Sequence, residues 1–188
     1  MTAERKQGGR GSDGQELFGV RLDGACKAPA EAVYDLLADL QTHLEWGGRR
    51  QKSKKFRLTS IEGPEGPAAV GTEFRTTGVD PSGAFTDASV VTEATRPEVF
   101  EFVAEARLRP KRGEVLEWTN VHRYEIRRNG AGCELNYSLK VMRLSRKPWW
   151  TKRGMRGLAT KISTSYTRGG FRNLLAMAEE SASVRSAG

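Results

Sequence analysis

The stretch EVLEWTNVHRYEIRR holds the side chains best suited to chemistry. With the two-residue repeat of a strand, Leu116, Trp118, Asn120, His122, Tyr124 and Ile126 fall on one side. Glu117, Thr119, Val121, Arg123 and Glu125 fall on the other. The first set is larger and more apolar, so it is expected to face the interior and to carry Asn120 and His122 with it. Buried polar groups need partners from the protein or from a ligand. An imidazole beside an amide in an apolar pocket can orient a carbonyl or act as a general base near neutral pH. The alternative is a core histidine bonded to a neighbouring backbone or hydroxyl group. The next strand repeats the pattern with Leu135, Tyr137, Leu139 and Val141, so the Tyr137 hydroxyl is expected in the same space. His122 and Tyr137 are therefore the candidate catalytic residues. Phe74, Thr76, Phe100 and Phe102 are weaker candidates for the same lining, because their facing depends on where bulges fall.

Other chemistries lack their signatures. There is no hydrolase elbow, phosphate loop or dinucleotide fingerprint. The two histidines, His43 and His122, have no acid at ligand spacing, and Cys26 and Cys133 form no metal motif. Neither a metal nor a cofactor is expected. The net charge of +8 points to anionic partners or to an ordinary basic surface. It is densest in RLSRKPWWTKRGMRG, where Arg143, Arg146, Lys147, Lys152, Arg153 and Arg156 surround Trp149 and Trp150. Indoles among cations suit an anionic membrane surface, and next to that single-stranded nucleic acid. The competing expectation is that the Trp pair staples the loop to the last helix while the cations stay solvated.

The elements that must position these groups follow from the change of period along the chain. The 188 residues, 37% hydrophobic and 29% charged, suit one domain with a sizeable core. Residues 1–15 read as a flexible polar tail with no apolar segment of a secretory signal, and 16–183 as the domain. No run is long enough to span a membrane, and a cytoplasmic location is expected. ELFGVRLDGAC alternates as a strand, with Phe18, Val20, Leu22 and Cys26 on one face. Pro29 opens a helix over 29–39, with Val33, Leu36, Leu37 and Leu40 at helical spacing. Residues 41–46 predict a second short helix, ended by Gly47 and Gly48. Six Val-, Thr- and aromatic-rich segments then follow, most of them divided by Gly, Pro, Asn and Asp. Their close spacing predicts an antiparallel meander. From about Pro148 helical spacing returns. Met155, Leu158, Ile162, Ser165 and Tyr166 form a stripe that Leu174, Leu175 and Met177 resume beyond Gly169-Gly170, where the helix is expected to weaken or bend. A curved sheet of seven strands whose concave side holds the long C-terminal helix would enclose a cavity.

This order, with KAPAEAVYDLLADLQTHLEW, then AAVGTEF, then VVTEATRPEVFEF, resembles the START/Bet v 1-like superfamily, and within it the polyketide cyclase/dehydrase and lipid-transport group. The matching residues are Ala28, Pro29, Ala30, Val33, Tyr34, Asp35 and Trp46, then Gly71 and Thr72, then Val91, Glu93 and Pro97. Their order and spacing are specific to the fold and not to one activity. The resemblance covers about residues 16–180. It implies an α+β helix-grip fold, with two short helices after the first strand and a C-terminal helix closing over a hydrophobic pocket. It places Trp46 either at the pocket mouth or packed in the helix–sheet corner. In this fold the first and last strands are neighbours, so Cys26 and Cys133 are expected close together and reduced. The implied role is binding of a lipid, isoprenoid or aromatic polyketide-like molecule. Trp46, Phe74, Phe100, Trp118, Asn120, His122, Tyr124, Tyr137, Ile162 and Tyr166 are the expected lining. A cyclase- or aromatase-like enzyme using His122 or Tyr137, and a basic module docking on RNA or membrane, are the alternatives.

Overall fold

The structure is a computed structural model that describes residues 16–52, 56–145 and 156–186. The N-terminal tail and the Trp149-Trp150 segment, with Lys152 and Arg153, lie outside them.

The first strand, β1 (Phe18–Cys26), leads through Pro29 into α1 (Ala30–Ala38). Its apolar face is fully buried at Val33 and Leu37. A single turn, α2 (Thr42–Leu44), continues directly into a π-helical turn over Glu45–Arg49. The chain therefore does not break at Gly47 and Gly48. The glycines serve a close approach instead: a Cβ on Gly48 would lie 2.7 Å from the Leu58 carbonyl oxygen of the strand that follows.

Six strands complete the sheet: β2 (Arg57–Glu62), β3 (Glu73–Val79), β4 (Gly83–Thr95), β5 (Val99–Pro110), β6 (Leu116–Asn129) and β7 (Gly132–Leu144). They form an antiparallel meander, and β1 closes beside β7, giving the order β1-β7-β6-β5-β4-β3-β2. Cys26 pairs directly with Cys133 across that last seam, and both are buried free thiols. Strand phase follows the expected alternation. Leu116, Asn120, Tyr124 and Ile126 are buried on the inner side of β6, while Arg123 on the outer side pairs with Glu93, Glu101 and Glu125.

The last element, α3 (Arg156–Ser186), is a helix of 31 residues that runs unbroken through Gly169 and Gly170. A Cβ on Gly169 would sit 2.4 Å from Gln51 Oε1, so here too glycine admits a close neighbour. The inner stripe differs from the one read from spacing. Ser165 is exposed, Met155 and the side chains of Leu158 and Ile162 lie outside the described ones, and Phe171, Leu174 and Ala178 carry the buried face. The C-terminal half is held firmly. The Lys27 backbone N–H donates to Glu179 at 2.8 Å, Arg50 pairs with Glu180 at 2.8 Å, and Asn173 Nδ2 donates to the Trp46 carbonyl at 3.0 Å.

The candidate ligand cavity

Between the concave sheet and α3 lies a cavity of about 610 Å³. Its wall runs from Leu139 and Val141 on β7, across β6 and β5, to Phe74 and Thr76 on β3, and is closed above by Tyr166, Phe171 and Leu174 of α3. At one end Phe56 stacks on Tyr166, with ring centres 5.3 Å apart, and on Phe85 at 6.0 Å. Most of the lining is apolar or aromatic; two sets of polar groups stand on the sheet side, and Gln51, Asp80, Ser82, Ser163 and Thr167 complete the polar lining.

The first set belongs to β6 and β7 and is internally paired. His122 Nδ1 and the Tyr137 hydroxyl are 2.9 Å apart, and Phe102 stacks flat on the imidazole at 4.5 Å. Trp118 Nε1–H donates to Asn120 Oδ1 at 2.8 Å. Burial pulls the His122 imidazole down to about 3, with a smaller push from His43, and holds the Tyr137 phenol well above its ordinary value. At neutral pH the histidine is uncharged and the phenol keeps its proton.

The second set comes from α2, the π-helical turn, β3 and β4. His43 is buried and its Nε2–H donates to the Leu37 carbonyl at 2.7 Å, which leaves Nδ1 as the basic nitrogen. Burial lowers this imidazole to about 4. Trp46 packs on it at 4.7 Å. Asp87 of β4 lies opposite Thr76 of β3, whose hydroxyl donates to Oδ2 over a long 3.3 Å. Burial raises this carboxyl to about 7. Asp87 Oδ1 and Trp46 Nε1 are shielded from solvent and have no hydrogen-bond partner among the described residues.

No family model matches the chain, and neither does any curated protein. Solved structures do. A protein from Chromobacterium violaceum is 14% identical with a TM-score of 0.59, over 86% of this chain and 98% of that one. The structure of Ara h 8.0201 is 12% identical at 0.58, over 85% and 96%. Ginseng major latex-like protein 151 from Panax ginseng is 10% identical at 0.56, over 84% and 95%. The fold is START/Bet v 1-like. At such identities the shared property is this helix-grip scaffold.

Within the helix-grip scaffold, Trp46, Phe74, Trp118, Asn120, His122, Tyr124, Tyr137 and Tyr166 all line the cavity, as do Thr76 and Phe102. Trp46 is only 8% exposed and forms wall under α3, so one ring both packs the helix–sheet corner and faces the cavity. Phe100 does not line it. The ring is fully buried one step deeper, edge-on to Tyr34 of α1 at 6.1 Å, where it fills the core. His43, Asp87 and Ser89 escaped the sequence reading. The α2 turn is too short to show a period, and β4 alternates residues of similar polarity on its two faces. Among the described residues, no helix is long and apolar enough to cross a membrane.

Proposed function

We propose that the protein binds a hydrophobic small molecule between the curved sheet and α3. The observation that carries this reading is the cavity itself: about 610 Å³, lined by aromatic and aliphatic side chains with a few convergent polar groups. A solid core at native density leaves no such space. Burial of the ligand's apolar surface supplies most of the affinity, at about 25 cal/mol per Å² before ordering costs. The Leu139 and Val141 side and the Phe102, Tyr166 and Phe171 rings provide that surface. His122 and Tyr137 orient the ligand by hydrogen bonds. A general base works best with a pKa near the operating pH, and an imidazole held near 3 beside a protonated phenol is far from it. The pair therefore favours binding over proton transfer.

Native mass spectrometry of gently purified protein, compared with the denatured mass, tests the reading. A reproducible adduct of a few hundred daltons is expected, lost in Leu139→Trp, which fills the wall. A clean mass, together with failure to bind the apolar fluorophore 8-anilinonaphthalene-1-sulfonate, would overturn it.

A further inference from the structure

The two polar sets of the cavity differ in what they still need. On β6 and β7, His122 meets Tyr137 and Trp118 meets Asn120. On β4, Asp87 has one oxygen on the Thr76 hydroxyl and the other on nothing among the described residues. Leaving a buried carboxyl oxygen unsatisfied is costly, and in native proteins such a group has a reason. Among the described residues no cation offsets the carboxyl, which feels its burial and the Thr76 hydroxyl. Its cross-strand neighbours on the inner face are Thr76 and Ala106, and Phe85 and Ser89 flank it along β4. Asp87 itself lines the cavity, and the terminal torsion of an aspartate is soft. Trp46 Nε1–H, an unmet donor, stands in the wall of the same cavity.

Resting on the cavity being a ligand site, we infer that its ligand is an apolar molecule bearing a hydroxyl group, and that Asp87 receives that hydroxyl. A hydroxyl both donates and accepts. It therefore satisfies the carboxyl whether or not the carboxyl holds its proton, a choice that burial leaves open near neutral pH. A methyl or a hydrogen in the same place satisfies neither form. The apolar walls then set affinity, and Asp87 sets which apolar molecules are accepted.

The test compares 2-naphthol with 2-methylnaphthalene, which have nearly the same shape, by displacement of 8-anilinonaphthalene-1-sulfonate. Affinities are measured for the wild type and for Asp87→Leu, with Asp87→Ala as the second variant should the leucine disturb folding. Taking the ratio of ratios removes the different water solubilities of the two probes. The naphthol-to-methylnaphthalene ratio is expected to fall by roughly tenfold or more when the carboxyl is removed. An unchanged ratio, with both probes bound, would overturn the assignment of Asp87 and leave the cavity reading standing. Failure of the wild type to bind either probe would overturn the cavity reading itself. A 2-naphthol affinity that survives in Leu139→Trp would place the probe outside the cavity and count against both.

Discussion

The β6–β7 wall and the β3–β4 wall line one cavity, yet they differ in how their polar residues are paired. On β6–β7 two pairs form within the wall: imidazole Nδ1 with phenol, and indole N–H with the amide oxygen. On β3–β4 a carboxylic acid is half answered. A satisfied buried network rigidifies and shapes a surface, whereas a half-satisfied one is destabilising on its own. The presence of polar residues in a cavity is therefore less informative than the state of their hydrogen bonds.

The comparison can be broken most forcefully with acid. Burial holds His43 near 4 and His122 near 3, against 6.5 when free. Between those values the unfolded chain binds protons that the folded chain refuses, so stability falls as pH falls. Each histidine contributes up to about 1.4 kcal/mol per pH unit. Asp87 acts with the opposite sign. Its folded value near 7 exceeds the free value of 3.8, so the folded state holds the extra proton and the contribution of Asp87 to stability falls as pH rises through that window. Two groups oppose one, and urea unfolding is expected to show stability declining from about pH 6.5 to about pH 4.5. Asp87→Asn removes the opposing group and should steepen that decline. A decline that became shallower would mean that Asp87 is not buried as an acid.

Smaller perturbations address one wall at a time. Tyr137→Phe leaves His122 Nδ1 without its hydroxyl and is expected to cost about 1–3 kcal/mol, read as a lower urea midpoint. Adding His122→Leu should recover part of that loss, because both partners are then gone. Trp118→Phe strips the donor from Asn120 Oδ1 and is expected to cost about 1 kcal/mol. Asp87→Leu sits at the end of the series with the opposite sign: unchanged stability or a gain below about 1 kcal/mol. A loss as large as that of Tyr137→Phe would erase the difference between the walls.

The readable and the hidden parts of this site divide along the same line. Asn120, His122 and Tyr124 were legible because β6 contrasts large apolar residues with charged ones, and Tyr137 because β7 keeps the same phase. The element order was legible because the period changes twice, at the start of the meander and at its end. Asp87 was not, since Phe85, Asp87 and Ser89 alternate with Ala84, Thr86 and Ala88, two faces of similar polarity. Its position follows only from pairing with Thr76 and Ala106. His43 is carried by a three-residue turn, and its role depends on the carbonyl of Leu37. Phe100 and Phe102 share a face, but depth along the strand, which no period encodes, sends one into the core and the other to the cavity. In α3, Leu174 and Tyr166 were legible from the helical spacing, whereas the buried Phe171 and Ala178 were not.

The unequal anchoring of α3 gives the fold a mechanical character. Its C-terminal half is bolted to β1 and the π-helical turn through Leu174, Ala178, Glu179 and Glu180, with Leu174 and Ala178 fully buried. The stretch from Ser163 to Thr167 faces the cavity and is only half-buried. Among the described residues the anchors of α3 fall in its C-terminal half, so opening there breaks more contacts than opening at Ser163–Thr167. Amide hydrogen exchange is expected to run as a gradient along this one helix, faster at Ser163–Thr167 than at Leu174–Ala178, and to flatten when the cavity is filled.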